Sequence, residues 1–377
     1  MTSPHVRRKK STIVRSIRRA ATTGGLRVVF RTLEHLAPAA GGRLALRLWC
    51  TPPRRRTAAP TVPAGPSGAT TFTGPYDGAP FTVEVNGGTV TGRAWGSGPF
   101  VYLAHGWGGS ASQLHGFVPT LVAAGYRVVA WDALSHGRSG PGVLGPHRAT
   151  LSEFADALTA VVRAHGPAHA VIAHSLGASA TGLAVLDGLP VRRLVMIAPM
   201  ADPLPYIQAF RRTLGIGPVV GDRLIAAMES LVGRPITDYD LGTRADRAGE
   251  LPPLLVVQDR SDREVYPADG ATMATAWPGR LHRTHGLGHG RILADPEVVR
   301  RAVDFVRESG TGTGPHARPR RGTAITTAPG GARNGATVTG PAGGRPLRGT
   351  GEVRPASQED PLPVPPERAA PVPQEAT

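Results

Sequence analysis

Between residues 80 and 308 short apolar runs recur at regular intervals with helix-length stretches between them. This alternation constrains the fold more than any other property of the chain. The runs are Phe100–Ala104, Arg127–Trp131, Ala170–Ala173, Leu194–Ala198, Leu254–Val257 and Leu281–Arg283. Most are apolar throughout, as a strand buried on both faces must be. Of the intervening stretches, 111–124 carries Leu114, Phe117, Leu121 and Val122 at helical spacing, and 151–164 carries Leu151, Phe154, Leu158, Val161 and Val162. Strands alternating with helices of this length form a parallel sheet covered on both faces. Ahead of them, Phe81–Val85 and Thr89–Trp95 alternate apolar and polar residues around Asn86-Gly87-Gly88, the pattern of a hairpin. The predicted class is therefore α/β: a mostly parallel central sheet with an antiparallel leading hairpin, helices on both faces, and one insertion. That insertion lies between Ala198 and Leu254, where Ile207, Phe210 and Leu214, then Leu224, Ile225, Met228 and Leu231, keep helical periodicity. It predicts a helical cap at about 200–252, and its Pro203, Pro205, Phe210, Leu214 and Ile216 predict an apolar pocket.

The formal charge of +16 invites a nucleic-acid reading until the charge is located. Residues 1–60 hold 14 basic residues and one acidic, 61–309 hold 21 of each, and 310–377 hold eight basic and five acidic. The excess belongs to the ends, so it says little about the chemistry of the middle. Residues 310–377 contain 12 Pro, 12 Gly and no Phe, Trp or Tyr, a composition that predicts a disordered tail with a Pro-rich end at Pro361–Pro366. The basic run at 1–19 leads into Leu26, Val29, Phe30, Leu33 and Leu36 at helical spacing. Arg27, Arg31, Glu34, Arg43 and Arg47 break every apolar run in this extension, which excludes a transmembrane helix and argues against a secretory leader. Two readings of residues 1–60 follow. The helix packs on the next domain, the commoner fate of amphipathic helices, or residues 1–50 associate weakly with an anionic membrane surface. The basic arm lacks interleaved aromatic residues, which argues against single-strand stacking, and no specific nucleic acid is expected. The single cysteine, Cys50, forbids an intrachain disulfide and fits a reducing, cytoplasmic location, peripheral to the membrane if the arm docks there. The Cys and the scattered His show no metal-ligand spacing, so no metal and no cofactor are expected.

The chemistry is carried by three segments. Val171-Ile172-Ala173-His174-Ser175-Leu176-Gly177 puts a serine between an apolar strand and a helix, with small residues two positions to either side. That is a nucleophile elbow with Ala173 in the first glycine place: only small neighbours let the backbone pass close enough to expose the hydroxyl. The alternative is an ordinary N-cap serine. Leu103-Ala104-His105-Gly106-Trp107-Gly108-Gly109 follows the third strand, where glycines let a backbone N–H turn toward developing negative charge. It matches neither phosphate-binding glycine pattern. Asp259 and Asp262 follow the strand Leu254–Val257, and Gly286-Leu287-Gly288-His289 follows the last strand. The chain order Ser, Asp, His is that of elbow-type hydrolases.

On these motifs residues 80–308 resemble the α/β-hydrolase fold superfamily of esterase- and lipase-like serine hydrolases. Trp131-Asp132-Ala133-Leu134-Ser135-His136-Gly137-Arg138-Ser139 also resembles the family's D-x-P-G-H-G-x-S loop, departing from it at Ala133, Leu134 and Ser135. The resemblance assigns the acid to Asp262, three residues before Val265, with Asp259 as second candidate in a place where the family usually has glycine. Tyr266 is an extra residue before Pro267. It implies Ser175 as nucleophile, His289 as base and then acid, Asp262 as its partner, and the backbone N–H groups of Trp107 and Leu176 as oxyanion donors. His105 and His136 fall at positions that are structural in the family, and His174 is read as pocket lining at most.

The expected organisation is a basic extension over 1–60, a hydrolase domain over 75–309 with its cap, and the tail. The expected reaction is hydrolysis of a carboxylic ester or thioester of a small apolar substrate through an acyl-enzyme on Ser175. An amide, a peptide or a C–C bond remains an alternative on this fold, as does a silent binding protein that keeps the fold without the chemistry.

Overall fold

A computed structural model describes residues 24–52, 78–277 and 279–308. The basic arm before residue 24 and the Gly/Pro-rich tail lie outside the described residues. Eight strands form one sheet in the order β1-β2-β4-β3-β5-β6-β7-β8. Strands β1 (Ala79–Val85) and β2 (Gly88–Trp95) form the expected antiparallel hairpin around a turn at Asn86 and Gly87, both with positive φ, and β2 also pairs antiparallel with β4 (Arg127–Asp132). From β4 through β3 (Phe100–Ala104), β5 (Ala168–His174), β6 (Val191–Ile197), β7 (Leu254–Asp259) and β8 (Gly279–Thr284) every pairing is parallel.

The apolar strands are explained by cover on both faces. Alternate residues of β5 enter different cores: Val171 and Ala173 join one, Ala170 and Ile172 the other. Helix α3 (Val118–Ala123) and the last helix, α9 (Pro296–Arg307), pack on the second face. Helices α4 (Leu151–His165) and α5 (Leu176–Leu186) cover the first. α4 opens on a reciprocal cap, in which Thr150 Oγ1 accepts from the Glu153 amide and Glu153 Oε2 accepts from the Thr150 amide at 2.7 Å. α5 has no polar stripe: nine of its eleven residues are buried, and most are Gly, Ala, Ser or Thr. Small side chains let it press close on the sheet below the elbow.

One expected helix is divided. Residues 111–124 form a 3₁₀ turn, Ala111–Phe117, followed by α3. Pro119 has no N–H to give to the carbonyl four residues back, so a continuous α-helix through this point would lose a bond. The Val118 amide closes the turn on the His115 carbonyl instead.

The insertion between β6 and β7 holds α6 (Leu204–Leu214), α7 (Pro218–Val232), a 3₁₀ turn at Ile236–Tyr239 and α8 (Leu241–Arg247). The N-terminal segment forms helix α1 over 24–36 and α2 (Pro38–Trp49), and both pack on this insertion. At the contact between α2 and α7 a Cβ added to Gly41 would lie 2.7 Å from Val220 Cγ2, and one on Gly42 would lie 2.6 Å from Arg223 Cβ. Two glycines bring the helices together. No helix among the described residues is long and apolar enough to cross a membrane.

Candidate active site

Ser175 sits where β5 ends and α5 begins, with φ 52° and ψ −125°. A non-glycine residue in that region is strained, and the turn survives because its surroundings hold it. The Ser175 amide donates to the Ile197 carbonyl at 2.9 Å, and the Ala178 and Ser179 amides donate to the Ser175 carbonyl. The small neighbours are sterically required. A Cβ on Gly177 would lie 2.3 Å from the His105 carbonyl oxygen, and one on Gly106 would lie 2.9 Å from Ser175 Cβ. Ala173 is fully buried between β3 and β6.

The three residues from separate segments meet. His289 Nε2 lies 3.0 Å from Ser175 Oγ, and His289 Nδ1 lies 2.8 Å from Asp262 Oδ2. If Nδ1–H donates to the carboxylate, Nε2 is left to accept the serine proton, so the arrangement can activate the hydroxyl. All three are buried. Asp262 Oδ1 accepts from the Glu264 amide at 2.8 Å and the Val265 amide at 3.0 Å. Burial pushes the Asp262 carboxyl pKa up, but hydrogen bonds from His289, Val265 and Glu264 outweigh it and hold the group below the usual carboxylate value.

Asp259 does something else. Its Oδ2 accepts from Thr284 Oγ1 at 2.7 Å and from the Leu287 amide at 3.1 Å, while Oδ1 accepts from the Ser261 amide at 2.8 Å. The carboxylate ties the end of β7 to the loop that carries His289. Burial raises its pKa, and the bonds from Thr284, Gly288, Ser261 and Leu287 overcome this and lower it. Tyr266, the other departure from the family pattern, docks the insertion. Its amide donates to Tyr206 Oη at 2.9 Å, its ring lies 4.8 Å from that of Tyr206, and Tyr206 donates in turn to Asp269 Oδ2 at 2.7 Å. Burial raises the pKa of both groups, and for Tyr206 this keeps on the phenol the proton that it donates.

The other histidines are committed. His105 Nε2 accepts from the Ala133 amide at 2.9 Å and His136 Nε2 accepts from the Gly108 amide at 3.1 Å. Burial lowers the pKa of His105. Burial, then the neighbouring His105, brings His136 down to about 4. His174, read as pocket lining at most, does not reach the lining: it is buried beneath the site, with Nε2 3.0 Å from the His289 carbonyl and its ring 4.6 Å from the His289 ring. Side chains alternate along β5, so the residue before Ser175 faces the sheet's other side, where the His289 loop returns.

The loop after β3 is pinned around Trp107. The Gly106 amide donates to Gln113 Oε1 at 3.1 Å and the Gly108 amide to His136. The Trp107 amide between them has no acceptor among the described residues. Leu176 opens α5, so its amide also belongs to a helix N-terminus without an intrahelical acceptor.

A cavity of about 430 Å³ opens on Ser175 and His289. Its walls are mostly apolar, with Trp107, Leu176, Pro203, Phe210 and Met228 among them. Of the insertion residues expected there, Pro203 and Phe210 do line it, while Leu214 and Ile216 are buried in the core and Pro205 is exposed outside it. Leu46, Leu48, Trp49 and Cys50 also line it, and sequence reasoning did not foresee that. The only hint was their apolar clustering directly after an amphipathic helix. Burial pushes the Cys50 thiol up to about 12, so it is an apolar surface rather than a nucleophile at neutral pH. Among the described residues no group of three or more His, Cys, Asp or Glu could hold a metal ion.

Comparison with known proteins bears on this geometry. A search of curated proteins finds no match. Among solved structures the chain is similar to a predicted CIB-like hydrolase from Thermoplasma acidophilum (20% identity, TM-score 0.46, 61% of this chain and 97% of that one). It is similar to an esterase from Rhodococcus sp. ECU1013 (20% identity, TM-score 0.45, 61% and 98%). An esterase from Exiguobacterium antarcticum is a third (16% identity, TM-score 0.45, 60% and 99%). A family model described as "Serine aminopeptidase, S33" matches residues 98–290, just over half the chain and the span that holds Trp107, Ser175, Asp262 and His289. On that match the chain belongs to the serine aminopeptidase, S33 family of α/β-hydrolases, and it is a hydrolase of that fold.

Proposed function

We propose that the protein hydrolyses a carboxylic ester or thioester of an apolar acyl group through an acyl-enzyme on Ser175. The observation that carries this reading is the unbroken hydrogen-bonded series from Asp262 through His289 to Ser175, at the floor of an apolar cavity. His289 takes the serine proton as the hydroxyl attacks the acyl carbon and returns it to the leaving alcohol or thiol. A water then repeats the sequence on the acyl-enzyme. Asp262 holds the imidazole in one tautomer and stabilises the cation that forms. The amides of Trp107 and Leu176 would hold the oxyanion, and loss of one such donor typically costs on the order of 10²–10³ in rate.

The family description names an aminopeptidase, whose substrate presents an ammonium group. The charged residues of the wall are Glu229, Arg234 and Glu264. Glu229 Oε1 already accepts from the Ile236 amide at 2.9 Å, and Arg234 is paired with Asp187 at 2.8 Å. The rest of the wall is mostly apolar, which suits a neutral acyl chain better than a charged terminus.

Replacing Ser175 with Ala is expected to lower kcat on p-nitrophenyl butyrate by at least about 10⁴-fold and to abolish labelling by a fluorophosphonate. Trp107→Phe leaves the backbone donor in place and changes turnover only through packing. Full esterase activity in the Ser175→Ala protein would overturn the reading, and labelling of Ser175 without ester turnover would favour an amide substrate.

We also propose that residues 75–309, with the cap at about 200–252, carry this chemistry and that residues 1–50 associate weakly with an anionic membrane surface. Val28 and Leu36 on α1 are 66% and 79% exposed, and the seven Lys and Arg of residues 1–23 precede them without an acidic residue. Exposed aliphatic side chains beside concentrated positive charge suit an anionic lipid surface.

A further inference from the structure

We propose that α2 is the acyl-binding wall of the pocket and that Trp49 sets the length of unbranched acyl chain the enzyme accepts. This inference rests on Ser175 being the nucleophile, and it assigns the substrate class of the same site.

Helix α2 lies outside the family-matched span of 98–290, yet its last turn forms one side of the cavity through Leu46, Leu48, Trp49 and Cys50. The helix is held from both ends. At one end α1 staples the insertion. Arg27 Nε donates to the Thr213 carbonyl at 3.0 Å, at the C-terminal end of α6, and Glu34 accepts from the Val219 and Val220 amides at 2.7 and 3.1 Å, at the N-terminal end of α7. A cation at a helix C-terminus and a carboxylate at an N-terminus both complement the helix dipole. At the other end the Ala149 amide donates to the Cys50 carbonyl at 3.0 Å, which ties α2 to the segment before α4. The wall is therefore fixed to the insertion and to the sheet domain together.

In the cavity wall the Trp49 ring meets Phe210 of α6 edge-on, with centroids 5.3 Å apart and planes at 74°. Both rings line the cavity that also holds Ser175, so a chain extending from Ser175 toward α2 and α6 meets this ring pair. The wall also offers thioether and aliphatic groups, Met200, Met228 and Leu231, which adapt to a flexible chain, beside the charged Glu229, Arg234 and Glu264. A cavity of about 430 Å³ is of the size that encloses a small organic ligand. The chemistry that fits is a straight apolar acyl chain, with the carbonyl at Ser175 and the methyl end at Trp49.

The test is a ladder of p-nitrophenyl esters from two to sixteen acyl carbons, with kcat/KM measured for the wild type, Trp49→Ala and Trp49→Phe. Removing the indole is expected to move the optimum to longer chains and to raise the ratio of long- to short-chain kcat/KM by about tenfold or more, since one methylene in an apolar pocket is worth roughly 10–200-fold. Trp49→Phe, which keeps a ring against Phe210, is expected to move it less. If Trp49→Ala does not melt cooperatively, Phe210→Ala opens the same contact from the other side and carries the same expectation. An unshifted optimum in a cooperatively folded variant overturns the proposal. Fluorophosphonate labelling of each protein separates this failure from failure of the Ser175 assignment. Labelling with an unshifted profile sinks the acyl wall alone, and absent labelling in the wild type sinks the nucleophile. Calorimetric binding of straight-chain fatty acids to Ser175→Ala gives a readout without turnover: affinity that rises with chain length and reaches longer acids in the Ser175→Ala/Trp49→Ala protein supports the wall, and affinity independent of length opposes it.

Discussion

Asp259 and Asp262 leave the same strand end, and their hydrogen bonds divide the work between them. Asp262 faces His289, so Asp262→Asn is expected to lower kcat by about 10⁴-fold, because the amide cannot hold the imidazole in the required tautomer. Asp259 faces Thr284 and Leu287. Its Asn variant turns an amide N–H₂ or a weaker acceptor toward those donors, costing about 1–3 kcal/mol of stability with a much smaller loss of kcat. The pH dependence has a definite sign. The folded-state pKa of Asp259 is depressed, so its stabilisation is complete above the unfolded carboxylate pKa of about 3.9 and is lost as pH falls through the lower folded value. Thermal melts should show a constant gap between wild type and Asp259→Asn from pH 8 to about 5 and a narrowing gap below about 4. A gap that does not narrow at all between pH 5 and pH 3 would mean that the charge is not what holds the loop. From the sequence, spacing relative to Val265 favoured Asp262 and left Asp259 as the second candidate for the acid, with no sign of the tie it makes to the His289 loop. That role depends on β7 and β8 lying side by side, with Asp259 opposite Thr284.

Elements were legible wherever their period was local. The strands and α4 emerge from apolar spacing alone, and the elbow emerges because its steric demands fall within five consecutive residues, Ala173 to Gly177. α5 could not be read from amphipathicity, since it is buried on all sides. The division at Pro119 was readable in principle, but the apolar period of Leu114, Phe117 and Leu121 concealed it. The cap of α7 was not readable at all, because its carboxylate comes from Glu34, far away in the chain. Glu34→Ala is expected to cost about 1 kcal/mol and lower Tm by roughly 2–4 °C, with Glu34→Gln between it and the wild type. Equal melting temperatures for all three proteins would show that the carboxylate adds nothing to the helix start.

At the scale of the whole molecule the positive charge is a property of the ends rather than of the hydrolase. Deleting residues 1–23 is expected to abolish co-sedimentation with vesicles rich in anionic lipid while leaving kcat on a short soluble ester within about twofold. Binding by the full chain should weaken as salt is raised from 50 to 300 mM. DNA pull-downs run beside the vesicles distinguish the two anionic partners. Retention on DNA but not on vesicles would overturn the membrane reading.

The sequence by itself determined the sheet, the insertion and the serine at the elbow, since each is written in a short stretch whose sterics or periodicity is local, while Asp262 and His289 were singled out by resemblance to the α/β-hydrolase family. Tertiary structure decided what surrounds them. Tyr206 and Tyr266, Asp259 and Thr284, His174 and the His289 carbonyl, and above all Trp49 and Phe210 become partners only once the chain is folded. An apolar residue in the sequence reports that it will be buried, but the hydrophobic effect has no direction. Whether Trp49 is buried in a core or forms the wall of a pocket is settled by what packs around it.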